Sequence, residues 1–254
     1  MKIKASITSH KGKILSKNED NFCFDGWIRK REAAKKAKKY NIKKQNCKLF
    51  GIFDGMGGIL AGEVASLLCA KTAKSVKINA DDIKKGLLDV CTEANLAVCA
   101  ESQKIKAQMG STASMLCFKD GEFCLCNIGD SPIFLLRNGE LNQISAEHTE
   151  KETFKRLYGE DSPKLNRKFK LTQHIGIDPN EMTIEPYCLS GNALTKDRFL
   201  ICSDGLTDMV DSNTVKDILV NTESPQKAVS ALLLKAIENG GKDNITIMII
   251  DIIE

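Results

Sequence analysis

The chain has 254 residues, 42% of them hydrophobic and 28% charged, with a formal net charge of +4. That length allows one large domain or two small ones with a sizeable core, and no apolar run approaches the roughly 18 residues that span a membrane. The charge is uneven: Trp27 to Lys48 holds ten Lys or Arg against one Glu, a balance of +9, which leaves −5 for the rest. A mildly acidic body carries one basic insertion.

In chain order, MKIKASITSH alternates Ile3, Ala5 and Ile7 as a strand does and lacks the apolar centre of a signal peptide, so a cytoplasmic protein is expected. Residues 20–25 read as a second strand. The segment from Ile28 to Lys44 is rich in Ala and Lys with a thin apolar face, which predicts an exposed helix or loop. Leu49, Phe50, Ile52 and Phe53 form a buried-looking strand that ends on Asp54 and a glycine turn. Helical periodicity then covers Ala61 to Val76 and Asp82 to Gln103.

Four short apolar strands follow, at 111–118, 122–128, 133–137 and 141–144. Asp120-Gly121 and Asn138-Gly139 join them as hairpin turns, which predicts an antiparallel meander. Residues 146–180 are polar and weakly patterned, as a flap over the main body would be. Strands are expected at Met182 to Leu189, Phe199 to Cys202 and Ile245 to Ile253, with helices at Ser212 to Val220 and Pro225 to Glu238. Hairpins without βαβ alternation argue for an α+β sandwich with helices covering antiparallel sheets. The ten cysteines stand singly with no CxxC pair, so all are read as reduced.

The chemistry gathers where strands meet acids. Asn18-Glu19-Asp20, Asp54-Gly55, Gly129-Asp130 and Ser203-Asp204-Gly205 lie at strand ends, and Asp243-Asn244 opens the last strand. Any one of these is more often a turn or a cap than a ligand. Carboxylates that share a site raise one another's pKa unless cations neutralise them. Oxygen donors, with only His10, His148 and His174 scattered elsewhere, point to Mg²⁺ or Mn²⁺ rather than zinc.

The ordered motifs NED, FDGMGG, MGSTAS, NIGDS, FLICSDGL and GGKDNIT resemble those of the metal-dependent PP2C-type (PPM) serine/threonine protein phosphatases, the compact bacterial branch above all, from about Ser9 to Ile252. The resemblance implies a single domain over 1–254, folded as a four-layer α-β-β-α sandwich of two antiparallel sheets with a small flap subdomain. It implies two Mn²⁺ or Mg²⁺ ions, with Asp54 bridging them, the Gly55 carbonyl on the second, and Asp204 and Asp243 completing the first. Glu19 and Asp20 would act through bound waters, and Asp130 would help to hold a third ion. It also implies hydrolysis of phosphoserine or phosphothreonine in proteins by a metal-bridging hydroxide, opposite a Ser/Thr kinase.

The sequence departs from that pattern at three places. Leu15 stands where the family's phosphate-gripping Arg is expected, GDSR reads Gly129-Asp130-Ser131-Pro132, and the basic insertion lengthens the loop before FDG. If Lys13 to Lys17 is extended, both lysines share a face with Leu15 and either could reach the phosphate. Met56, in place of the eukaryotic His, cannot donate a proton. The competing function is a catalytically weak, metal-binding module that recognises phosphoproteins, which Leu15 favours. A monomer without membrane association is expected, with the basic segment 27–48 exposed to an acidic partner, either a phosphoprotein segment or nucleic acid.

Overall fold

The computed structural model describes residues 1–30, 34–41, 47–57, 61–159 and 170–254. Its elements in chain order begin with β1 (Lys2–His10), β2 (Asn21–Phe24), β3 (Trp27–Ile28), β4 (Ala34–Asn41), β5 (Lys48–Phe53) and β6 (Gly55–Gly57). Two helices, α1 (Ala61–Ser75) and α2 (Ile83–Ile105), lead into β7 (Met109–Ser111), β8 (Ala113–Lys119), β9 (Glu122–Ile128), β10 (Ile133–Arg137) and β11 (Glu140–Gln143). After α3 (Glu150–Tyr158) come β12 (Tyr187–Asn192), β13 (Arg198–Cys202), α4 (Asp204–Thr207), α5 (Ser212–Asn221), α6 (Pro225–Glu238) and β14 (Ile245–Ile252). Among the described residues, no helix is long and apolar enough to cross a membrane.

Two six-stranded antiparallel sheets pack face to face, ordered β11-β10-β13-β14-β1-β4 and β12-β9-β8-β5-β2-β3. Alternation decides the layers, because each strand sends every second side chain to the opposite face. Ile3, Ile7, Phe22, Phe50, Phe118 and Phe199 meet between the sheets. Cys117, Cys126, Leu87 and Val98 fill the space under α1 and α2 on one outer face. Leu200, Ile247, Val229 and Leu232 do so under α5 and α6 on the other. The result is the expected α-β-β-α stack. Edge-to-face rings run through its centre, from Phe50 to Phe118 (6.1 Å), Phe118 to Phe199 (5.2 Å) and Phe199 to Phe123 (5.0 Å). This is the arrangement that ring quadrupoles favour.

The helices start where caps allow. Asp82 accepts from the Lys85 N–H at the head of α2, and Ser224 accepts from Lys227 N–H before Pro225 in α6. All ten cysteines are free, and only Cys47, Cys99 and Cys188 are partly exposed. Three fast-reacting thiols are therefore expected with a thiol reagent on the native protein and ten after denaturation, read by absorbance. Fast reaction of more than three would place the helix-facing core in solvent.

Three expectations need correction. The basic insertion is not a helix: residues 34–41 form β4, an edge strand paired with β1 from Ala34–Ser9 to Asn41–Lys2. Repeated Lys on an edge strand blocks strand addition and leaves the paired side free to bond, so Ala and Lys content misled. The Lys36 ammonium sits 4.7 Å from the Trp27 ring centroid. The remaining parts of that insertion, 31–33 and 42–46, lie outside the described residues. The meander is also not one sheet. The β8–β9 hairpin belongs to one sheet and β10–β11 to the other, and the chain crosses between them at 129–132. Within the polar stretch 146–180, Thr149 caps α3 by accepting from Glu152 N–H, and residues 160–169 lie outside the described residues. The strand expected from Met182 begins only at Tyr187.

Candidate metal centre and active site

The acids meet at one end of the sandwich because both sheets end there. Glu19, Asp54, Gly55, Asp130, Asp204 and Asp243 line one pocket, with Leu15, Met56 and Thr112 in its wall. Asp20 lies beneath them, fully buried.

Asp20 is held by one oxygen only. Ser203 and Thr246 hydroxyls donate to its Oδ2 at 2.8 and 2.7 Å. Its Oδ1 and the Oδ1 of Asp204 are buried with no hydrogen-bond partner among the described residues. A buried carboxylate oxygen without a donor costs free energy unless something positive faces it. The backbone below is fixed by Arg29, whose Nε donates to the Asp20 carbonyl (2.6 Å) and whose guanidinium donates again to the Asn18 carbonyl (2.7 Å). Glu19 donates its N–H to Asn244 Oδ1 at 2.6 Å, and Ser66 Oγ donates to the Glu19 carbonyl.

Close backbone approach builds the rest. A Cβ on Gly55 would run into the Gly62 and Glu19 carbonyls, so only glycine lets α1 press against the turn that follows Asp54. Gly12, at φ +79°, lies on the Asp243 and Gly241 carbonyls in the same way. Asn244 then ties that loop down through Nδ2, which donates to the Lys11 and Lys17 carbonyls at 3.0 and 2.9 Å. Asp54 and Thr112 exchange two bonds, Asp54 N–H to Thr112 Oγ1 (2.9 Å) and Thr112 N–H to the Asp54 carbonyl (2.8 Å). Thr112 Oγ1 also meets Ser131 Oγ at 2.8 Å, which couples Asp54 to the crossover that carries Asp130.

Crowding shows in the proton affinities. Burial first, and then the charge of the other acids, pushes Asp54 and Asp204 well above the usual carboxylate range. Burial raises Asp20 and Asp130 to about 6. Glu19 is raised by burial, Glu63 and Asp243, while the Lys17 ammonium pulls it back. Among the described residues, no three His, Cys, Asp or Glu side chains close around a single point. The acids ring the pocket and leave room for carbonyl and water oxygens, as hard cations require. His10, His148 and His174 turn Nδ1 to backbone at Gly12, Gly129 and Ile175, away from the acids.

The structure therefore brings together Glu19, Asp20, Asp54, Gly55, Asp130, Asp204 and Asp243. Lys13 and Lys17 stay outside the pocket's lining, although the Lys17 ammonium still acts on Glu19. Residues 12–14 form a turn and 16–17 a bend, with no strand between them, so the alternation that would place both lysines beside the phosphate fails. Leu15 reaches the pocket, while both lysines are exposed and outside its lining. Two contributors went unread in the sequence. Asp208 follows Asp204 by one helical turn and adds to its field, and that i, i+4 spacing was the available signal. Arg29 passed as one more solvated cation of the insertion. Its only signal was the apolar Trp27-Ile28 pair just before it, which marks a strand.

A carboxylate ring with bare buried oxygens, at the end of an α-β-β-α sandwich, has the chemistry of a divalent-cation site. The family model "Protein phosphatase 2C" matches residues 19–245, and the chain belongs to that family. It is 28% identical to the serine/threonine phosphatase stp of Listeria welshimeri over 97% of this chain and 95% of that protein. It is 32% identical to the serine/threonine protein phosphatase PstP of Mycobacterium tuberculosis over 82% of this chain, which spans 41% of that longer protein. The catalytic domain of PstP, solved in complex with two manganese ions, superposes with a TM-score of 0.80 over all of both chains at 26% identity.

Proposed function

We propose that the chain is a cytoplasmic, monomeric Mn²⁺- or Mg²⁺-dependent phosphatase that hydrolyses phosphoserine and phosphothreonine in proteins, opposite a Ser/Thr kinase. The observation that carries this reading is the pair of buried, partnerless oxygens on Asp20 and Asp204 inside a ring of acids. Such a ring fits divalent cations and little else. Asp54 would span two of them, the Gly55 carbonyl would hold one, and Asp204 with Asp243 the other. Glu19 and Asp20 would hold their water ligands, and Asp130 a third ion. The two manganese ions in the PstP catalytic domain support a paired cation site here. When bound, the ions supply a nucleophilic hydroxide near neutral pH and offset the charge growing on the phosphoryl oxygens.

The protein's own part is to place the acids before any ion arrives. Ser203 and Thr246 hold one oxygen of Asp20 and leave the other to face a cation, Arg29 fixes the Asp20 backbone, Asn244 fixes that of Glu19, and Thr112 fixes Asp54. Hydrolysis of p-nitrophenyl phosphate with Mn²⁺, abolished by EDTA, is the test. An absence of Mn²⁺-dependent turnover from folded protein sinks the reading and leaves a phosphoprotein-binding module.

Leu15 gives the pocket an apolar wall where a guanidinium would grip phosphate in two places. Leu15→Arg is expected to lower KM for a phosphopeptide several-fold, worth on the order of 1–2 kcal/mol for a charged hydrogen bond. An unchanged KM would mean that phosphate does not approach this wall.

The basic strand β4 would serve an acidic segment of the substrate. Lys35→Gln with Lys38→Gln is expected to raise KM for an acidic phosphoprotein about threefold in low salt and to have no effect in high salt. Equal KM values in low salt would reduce the lysines to protection of the sheet edge.

A further inference from the structure

We propose that the substrate polypeptide leaves the acidic pocket along a groove beside α2, and that this groove selects an apolar residue followed by Lys or Arg next to the phosphorylated residue. The inference rests on the phosphatase reading and names the substrate class of that site. The groove is a cavity of about 700 Å³ between the end of α2, β6–β7 and residues 171–182. Met56 and Leu171 line both it and the acidic pocket, so the two adjoin. A chain whose phosphate sits among the acids has this groove as an adjoining bed, over the rim formed by Met56 and Leu171.

The groove's chemistry changes along its length. At the rim it offers Leu171 and Met56, and elsewhere in its lining Met182, which is 42% exposed, with buried Met109 behind. Thioethers are flexible and polarizable, so this floor accepts apolar side chains of several shapes. Asp178 and Glu181 also line the groove, and among the described residues no Lys or Arg does. His174 turns its Nδ1 to the Ile175 carbonyl at 2.9 Å. Two carboxylates repel a second phosphate and attract a cation, which makes this wall a seat for a basic side chain.

The wall is also held before substrate arrives. Asp178 Oδ1 accepts from the Asn180 N–H and from its Nδ2, both at 2.9 Å. Asn95 on α2 donates to the Ile177 carbonyl (2.9 Å) and accepts from the Gly176 N–H (2.6 Å). A preformed wall spares the ordering cost that a loose one would add to binding.

The test uses phosphothreonine peptides that carry Leu-Lys, Leu-Glu or Ser-Lys beside the phosphoresidue, on one side or the other in separate peptides. Steady-state kinetics with Mn²⁺ should give the best Leu-Lys peptide about tenfold higher kcat/KM than its Leu-Glu counterpart, as replacing attraction by repulsion at a part-exposed pair predicts. Ser-Lys should fall between them. In Glu181→Lys, at an exposed position, the Lys-over-Glu preference should shrink to about one or invert, with melting temperature unchanged. Equal kcat/KM for all peptides in wild type, or the same preference in Glu181→Lys, overturns the groove while p-nitrophenyl phosphate turnover keeps the phosphatase standing. Loss of that turnover in wild type would remove both.

Discussion

Asp54→Asn and Asp204→Asn should each lower Mn²⁺-dependent turnover at least about a hundredfold while the fold persists. Both acids reach one pocket, and each is held there against its own desolvation and the charge of its neighbours. Asparagine keeps the shape and removes the charge that a cation needs. The same change relieves a buried, uncompensated anion, so the metal-free variants should melt no lower than the metal-free wild type. Addition of Mn²⁺ should then raise the melting temperature of wild type and leave the variants nearly still. Turnover within about tenfold of wild type in both variants would take these acids out of the metal site. A lower melting point in EDTA would show that they hold the fold instead.

The second large effect concerns metal-free stability against pH. Asp20 and Asp130 have folded pKa values of about 6 against an ordinary value of 3.8. Between those values the folded state binds more protons than the unfolded one, so stability falls as pH rises. The contribution is present below about pH 4 and is lost through about pH 6. Asp54 and Asp204, raised further, extend the loss to higher pH. For the fully buried Asp20 a shift of this size corresponds to about 3 kcal/mol. In EDTA, melting temperature should therefore drop between pH 5 and pH 8. Mn²⁺ at a hundred times its Kd should restore about 2.7 kcal/mol at pH 7.5. A melting temperature that climbs from pH 5 to 8 in EDTA, and ignores Mn²⁺, would mean that the carboxylates already have positive partners.

Much of this was legible in the sequence. Strands with a buried face, such as Leu49 to Phe53, and helices with caps, such as Pro225 to Glu238, declare themselves through period and end residues. The acids were legible because each ends or starts an apolar run. The sheet to which a strand belongs was not. A hairpin turn fixes the two strands it joins, while β9 and β10 part company for want of such a turn, and only the packing of both sheets decides it. Edge strand β4 was misread because exposed edges carry Lys for the same reason that exposed helices do. Lys13 and Lys17 were misplaced because the backbone there follows Gly12 at φ +79° and the clasp of Asn244, both set by the distant 241–244 turn. Arg29 was hidden because its short hydrogen bonds go to the Asp20 and Asn18 carbonyls, which no pattern of side chains announces, and its ion pair with Glu63 (3.7 Å) reaches a residue on α1 far along the chain.

The clasp of Asn244 on the 11–19 loop has a consequence for how the molecule assembles. It joins residues near opposite ends of the chain, as do the Ser9–Thr246 hydroxyl contact and the pairing of β1 with β14. Contacts of such separation close the largest loops, and loop closure must precede their reward, so chains of this topology fold slowly. The acids therefore come together only after both sheets have docked. The ring of acids is thus a product of the finished fold, drawn from the segments after β1 and before β14 alike.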